Sequence, residues 1–223
     1  DRTAKNLVDA TGRAAVTAMR RFRPPKPWIA RSFWAPAAAH HRGFAIAQLP
    51  EGYAYRVGSA RTLTFGVVGR RDAVAGSPTD IARMVRLHAP WMLEDMPSFT
   101  ALRSGGACVA SVQWSEGESL RIGDAALARD ALAFQGIATG AGDAQLACAM
   151  VGEVDRASIL AAQREQRQSH LRSLMVLIET GRFARAPAWR EYMDFLSLQI
   201  DPQHAQWTAA VQAQRVGRVD VRN

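Results

Sequence analysis

Gly123-Asp124-Ala125-Ala126, continued by Leu127 to Asp130 and then by Ala131-Leu132-Ala133-Phe134-Gln135-Gly136-Ile137, is the stretch around which this chain is organised. Leu120 and Ile122 lead into it as a strand would, and the small-residue run 138–150 leaves it as a helix would. The turn between them carries one acid, Asp124, and the glycines that a closely packed ligand needs. A strand that ends in an acid and opens a helix suits a cofactor bearing hydroxyls and phosphate. The carboxylate can accept from a sugar-alcohol hydroxyl. The helix N-terminus presents unpaired N–H groups and the positive end of a dipole.

With Asp143-Ala144 behind it, this stretch resembles the second FAD-binding motif of the flavin-dependent aromatic monooxygenases of the p-hydroxybenzoate hydroxylase fold. Tryptophan-halogenase-like and geranylgeranyl-reductase-like proteins share that fold. Their motif runs Gly-Asp-Ala-Ala, a short loop, Asp-Pro, Gly-Gln-Gly or Ser-Gln-Gly, and a helix with an Asp-Ala pair. This chain departs at Ala131, where the family has proline, and at Phe134, where it has a small residue. The resemblance implies FAD as the cofactor, with Asp124 on a ribityl hydroxyl beside Gly123. It also puts Gln135, Gly136 and Ile137 on the cofactor, the backbone near the last two facing the flavin N1–C2 edge.

A second stretch, Asn6-Leu7-Val8-Asp9-Ala10-Thr11-Gly12-Arg13, is a short strand followed by a tight glycine turn. It resembles the Val-Asp-Ala-Thr-Gly-Arg segment that closes the first part of the FAD domain, which implies Gly12 and Arg13 near the dinucleotide. Relatives that take NAD(P)H have Asp where Thr11 stands and Ser where Ala15 stands, so direct NAD(P)H docking is not implied here. The Gly-x-Gly-x-x-Gly strand–turn–helix that grips the ADP half of FAD is absent, and there is no initiator Met. The chain is therefore expected to be the C-terminal portion of a longer flavoprotein. The N-terminal FAD-binding portion would come from a separate polypeptide or a cleaved segment.

Bulk properties agree with a globular chain. It has 223 residues, 48% hydrophobic and 22% charged, with a net charge of +8. The charge is dispersed apart from Arg20, Arg21 and Arg23 and the pair Arg70-Arg71, which argues for a solvated basic face over a nucleic-acid partner. Cys108 and Cys148 lie in apolar or helical contexts and read as buried reduced thiols, as in the cytoplasm. No His or Cys cluster has metal-ligand spacing, and no apolar run approaches a membrane span.

The expected fold class is α/β (α+β): the C-terminal portion of a two-domain FAD-binding monooxygenase fold, with a mixed β-sheet substrate domain and C-terminal helices. Residues 1–30 would end the first FAD-domain segment, 31–115 form the substrate domain, 116–152 the returning strand–loop–helix, and 153–223 the helical region. Residues 20–41, rich in proline, read as a linker whose aromatics Trp28, Phe33 and Trp34 dock on the core or cover a substrate pocket. Runs 43–49, 53–57 and 62–68 read as an antiparallel meander. Ser77 caps a helix over 81–88, and the chain turns through Ser104-Gly105-Gly106 into a strand over 107–114. Asp155 caps a helix with an apolar stripe at Leu171, Leu174, Met175 and Ile178; its polar run 164–170 reads as a solvated face or a break. Helices over 188–198 and from Asp201-Pro202 follow.

The resemblance implies an FAD-dependent oxidoreductase, a monooxygenase hydroxylating an electron-rich aromatic ring through a flavin C4a-hydroperoxide. One candidate substrate is a tryptophan side chain in a peptide or protein precursor, as in tryptophylquinone biogenesis. Halogenases carry Trp-x-Trp-x-Ile-Pro where this chain reads Gly52-Tyr53-Ala54-Tyr55-Arg56-Val57-Gly58, which speaks against halogenation. Tyr53 and Tyr55 share one strand face and are candidates for substrate contact or for ordinary sheet packing. No catalytic base is assignable. A flavin-dependent halogenase, a small-aromatic hydroxylase and a flavin-free binding module are the competing readings.

Overall fold

The computed structural model describes residues 7–12, 21–22, 26–36, 43–94, 96, 102–106, 110–112, 119–130, 132, 136–149 and 155–200. Mixed parallel and antiparallel pairing gives an α/β fold. Strands β1 (Leu7–Asp9) and β9 (Ser119–Arg121) run parallel as neighbours. Between them in sequence lies a five-stranded antiparallel sheet of β3 (Trp28–Pro36), β4 (Gly43–Leu49), β5 (Gly52–Gly58), β6 (Thr62–Arg70) and β7 (Leu102–Gly106), in the order β4-β5-β6-β3-β7. A small sheet joins β2 (Arg21–Phe22), β8 (Ala110–Val112) and β10 (Leu127–Ala128).

Helices cover both faces of the large sheet. Helix α1 (Arg71–Val74) and α2 (Pro78–His88) close one face, where Phe33, Leu49, Ala54, Phe65, Val67, Ile81 and Val85 are buried together. Helices α4 (Arg156–Glu179) and α5 (Pro187–Ile200) close the other, where Trp28, Tyr53 and Val68 meet Leu171, Leu174, Ile178, Trp189 and Tyr192. Because both faces are covered, β6 is continuously buried from Phe65 to Gly69, and only its first residues, Thr62 to Phe65, alternate. Each fully buried large side chain adds about 1.5–3 kcal/mol. Trp28 stacks on Tyr192 at 4.4 Å and meets Trp189 edge-on at 5.1 Å, each pair worth about 1 kcal/mol more.

The expected meander is present, and β4, β5 and β6 pair in sequence order. Ser77 caps α2 in a reciprocal capping box with Asp80, and Asp155 caps α4 by accepting from the Ser158 N–H. The linker expectation for 20–41 is overturned: Trp28–Pro36 is an inner strand, paired with β6 on one side and β7 on the other. Pro24, Pro25 and Pro27 precede that strand and Pro36 ends it, so no proline removes a ladder N–H from its middle. Trp28 and Phe33 dock on the core, whereas Trp34 is exposed. Ser104-Gly105-Gly106 is no turn but part of β7, held by its ladder with β3. The polar run 164–170 does not break α4 and is mostly a solvated face, except that Arg167 is half-buried and His170 buried. Cys148 is a free thiol but exposed, on α3 (Gly136–Ala149), because α3 buries a different face. Cys108 and the helix expected from Asp201 lie outside the described residues.

Candidate functional site

Two sequence motifs more than a hundred residues apart come together through the β1–β9 pair. Leu7, Val8 and Asp9 register with Ser119, Leu120 and Arg121, and the Ile122 N–H donates to the Asp9 carbonyl at 3.0 Å. Parallel strands leave at the same edge. The turn through Thr11 and Gly12 therefore lies beside the 3-10 turn Gly123–Ala125. Gly12 (φ +62°) and Gly123 (φ +56°) both occupy the left-handed region that glycine takes without penalty. Asp9 is buried and shapes the first turn, accepting from the Thr11 N–H at 3.0 Å and the Thr11 hydroxyl at 2.6 Å. The carboxyl ends of adjacent parallel strands are where open α/β sheets receive ligands.

Helix α3 packs onto the second turn. The Gly123 N–H donates to Asp143 Oδ2 at 2.8 Å, and a Cβ on Gly123 would lie 3.7 Å from the Gly140 Cα. Small residues on α3 permit this approach. Asp124 is half-buried within the turn. It does not open α3 directly, as expected from the sequence: β10 intervenes, and Gly136 and Ile137 form the first positions of the helix. The first-turn N–H groups of a helix lack intrahelical acceptors, so this terminus favours a negative or carbonyl-like group. Arg13 and Gln135 lie outside the described residues.

A polar interior sits behind the turn. Arg129 is buried; desolvation lowers its guanidinium below the ordinary range, while Asp143 and Asp124 act in the opposite sense. Gln163 Nε2 donates to the Arg121 carbonyl at 3.0 Å. His170 is 4% exposed, and neither ring nitrogen has a hydrogen-bond partner among the described residues. Burial first and Arg129 second push its pKa down to about 4, so it is neutral at ordinary pH. Gln163, Arg167 and His170 recur at helical spacing on the inner face of α4. That spacing was the signal, hidden in the sequence by the intervening Arg164, Glu165 and Gln168.

Asp130 is the most enclosed acid beside the site, 1% exposed. Tyr53 donates to its Oδ1 at 2.8 Å, Tyr192 to its Oδ2 at 2.6 Å, and the Leu132 N–H to Oδ1 at 2.8 Å. Burial, then the Asp130 charge, raises the Tyr53 phenol well above its ordinary range. The structure thus places Tyr53 inside the core with its hydroxyl engaged. Tyr55, on the same face, is half-buried, and burial raises its phenol too. Its ring lies over Gly66, its cross-strand neighbour, where any Cβ would overlap it. Asp130 had a signal in the sequence, since it occupies the acid of the motif's Asp-Pro; its two tyrosine partners had none.

No protein-family model matches the chain, and no curated protein matches it in sequence. Solved structures do match in fold. The flavin-dependent halogenase CmlS aligns with TM-score 0.70 and 16% identity over 91% of this chain and 42% of its own. The fold matches a portion of the flavin-dependent halogenase fold. The flavin-dependent brominase Bmp2 aligns with TM-score 0.64 and 17% identity, covering 96% of this chain and 64% of its own. QhpG, a peptidyl tryptophan dihydroxylase essential for tryptophylquinone cofactor biogenesis, aligns with TM-score 0.62 and 19% identity, covering 86% and 48%. The chain thus spans roughly half of these proteins, between 42% and 64%. Among the described residues no helix is long and apolar enough to cross a membrane, and no three His, Cys, Asp or Glu side chains gather as metal ligands would.

Proposed function

We propose that this chain carries the second half of a FAD site in an oxidoreductase that hydroxylates an electron-rich aromatic ring. The observation that supports this most directly is the parallel β1–β9 pair, which brings the Gly12 and Gly123 turns to one edge beside the start of α3. The residues fit such a group: two glycines at positive φ leave backbone approachable, no atom of the described residues lies within 4 Å of a Cβ built on Gly12, and Asp124 is half-buried in the turn.

Bound flavin would supply the oxygen-activating redox chemistry that amino-acid side chains lack. Asp124 would accept from a ribityl hydroxyl. Gly123, and Gly12 with Arg13, would let the dinucleotide approach the backbone. Gln135 and the first N–H groups of α3, at Gly136 and Ile137, would hold the polar edge of the ring and favour negative charge there. The large sheet, with Tyr55 on the face that α4 and α5 partly cover, would carry the substrate side and help to exclude water. The ADP half of the cofactor would be held by a portion outside this chain.

A tryptophan side chain within a peptide is the substrate we favour, since QhpG shares the fold and acts on peptidyl tryptophan. Halogenation is the second reading, favoured by the likeness to CmlS and Bmp2. The aromatic positions of 52–58 being tyrosines rather than the halogenase tryptophans weighs for hydroxylation. The test uses the full-length protein. A flavin absorption band after purification is expected. Incubation with a tryptophan-containing peptide, reductant and oxygen, with and without bromide, should give a product heavier by oxygen under both conditions. A bromide-dependent halogenated product would replace hydroxylation by the second reading, and a colourless protein that binds no added FAD would end both.

A further inference from the structure

We infer that Asp130 is a positioning residue: its buried carboxylate sets the segment leading into α3 against strand β5 and helix α5, and so fixes where the cofactor edge meets the sheet. The cofactor half of this inference rests on the proposed function above; the positioning half rests on geometry alone. Three donors from three parts of the chain converge on one acid. Tyr53 comes from β5 at 2.8 Å, Tyr192 from α5 at 2.6 Å, and the Leu132 N–H from the segment itself at 2.8 Å.

Both phenols are held in place by the packing around them. Tyr53 is 1% exposed in the sheet core, and Tyr192 is clamped between the Trp28 ring at 4.4 Å and the Phe195 ring at 6.2 Å. Phenols fixed this firmly leave the acid one place to sit. Two residues on, the Leu132 N–H is fixed by the same oxygen that Tyr53 reaches, and four residues beyond Leu132 the helix begins at Gly136. Tyr53 also shares its strand face with Tyr55, two residues away. One carboxylate therefore links Leu132, four residues before α3, with the aromatic sheet face and the C-terminal helix.

A carboxylate is acceptor-only and can take all three donors; an amide can keep its oxygen toward Tyr53 and the Leu132 N–H, but it puts an NH2 group at the Oδ2 position, where Tyr192 must turn its hydroxyl from donor to acceptor. Asp130→Asn is therefore the informative variant, because it keeps the volume while removing the charge and one acceptor position. Tyr53→Phe and Tyr192→Phe each remove one donor.

The experiment compares these variants with wild type in the full-length protein. Amide hydrogen exchange should speed up in Asp130→Asn over 130–140 while β5, β6 and α2 keep their protection. FAD affinity should fall roughly tenfold or more, and the bound flavin's absorption band and midpoint potential should shift. Tyr53→Phe and Tyr192→Phe should move the same readouts in the same direction by less. The inference is overturned if exchange over 130–140 is unchanged, or if all elements lose protection equally. It is also overturned if FAD affinity, band and potential stay at wild-type values while only the melting temperature falls. If the wild type itself binds no FAD, the proposed function has failed, and the exchange pattern still decides the role of Asp130.

Discussion

The main-chain N–H of Gly123 donates to the Asp143 carboxylate at 2.8 Å, tying a turn to a helix residue twenty positions later. Asp143 is 3% exposed and Gly123 half-buried, so this bond is largely shielded from water. Removing the acceptor leaves a shielded N–H unpaired, which costs about 1–3 kcal/mol. Asp143→Ala should lower the urea midpoint by the corresponding amount. Asp143→Asn, which keeps an acceptor oxygen, should recover most of the loss; equal losses in both would mean that charge, not the hydrogen bond, matters there.

Gly123 also separates two effects of a side chain. At φ +56° an added Cβ is strained by its own backbone, at about 1–2 kcal/mol, yet its nearest neighbour would lie at an ordinary 3.7 Å. Gly123→Ala should therefore fold with a modestly lower melting temperature. Gly52→Ala should behave far worse, because its Cβ would overlap the Val68 carbonyl and the Gly69 Cα at φ +157°. Equal melting temperatures for the two variants would contradict this.

His170 makes stability depend on pH in a defined direction. Its folded pKa, about 4, lies below the ordinary 6.5 through burial and then Arg129. The unfolded chain therefore takes up the proton first as pH falls. Stability is full above pH 6.5 and declines between 6.5 and about 4, by up to about 3 kcal/mol. Denaturation of wild type and His170→Leu across that range checks it: acidification should lower wild type more than the variant. Parallel curves would show that His170 carries no such linkage.

Asp124→Ala should fold with a modestly lower melting temperature, since Asp124 is one of two carboxylates acting on the buried Arg129 guanidinium while the turn's backbone stays held by Asp143. Flavin occupancy after purification should drop severalfold, read from the absorption spectrum. Unchanged occupancy would remove Asp124 from the cofactor site.

How much was legible beforehand varies with the kind of information required. The meander over 43–70 and the caps Ser77 and Asp155 were legible because turn and cap chemistry is local. Strand β3 was not, because three prolines crowd its start, and only its pairing with β6 and β7 shows that they stay outside the ladder. The interior face of α4 was not, because Gln163 and His170 are polar and their burial depends on what packs against them. Cys148 was misplaced for the converse reason: a small-residue helix has no apolar stripe to say which side is in.

By itself the sequence determined the two glycine turns, the acid in one of them and the helix behind it, since φ preference, capping and hydrophobic spacing act over a few residues. Tertiary structure alone decided that those turns are neighbours, because strand pairing between Val8 and Leu120 joins positions that nothing local connects. It also decided that Asp130 belongs to Tyr53 and Tyr192, whose hydroxyls reach it from 77 and 62 residues away. A buried carboxylate is stable only where distant donors converge, and convergence is a property of the folded chain.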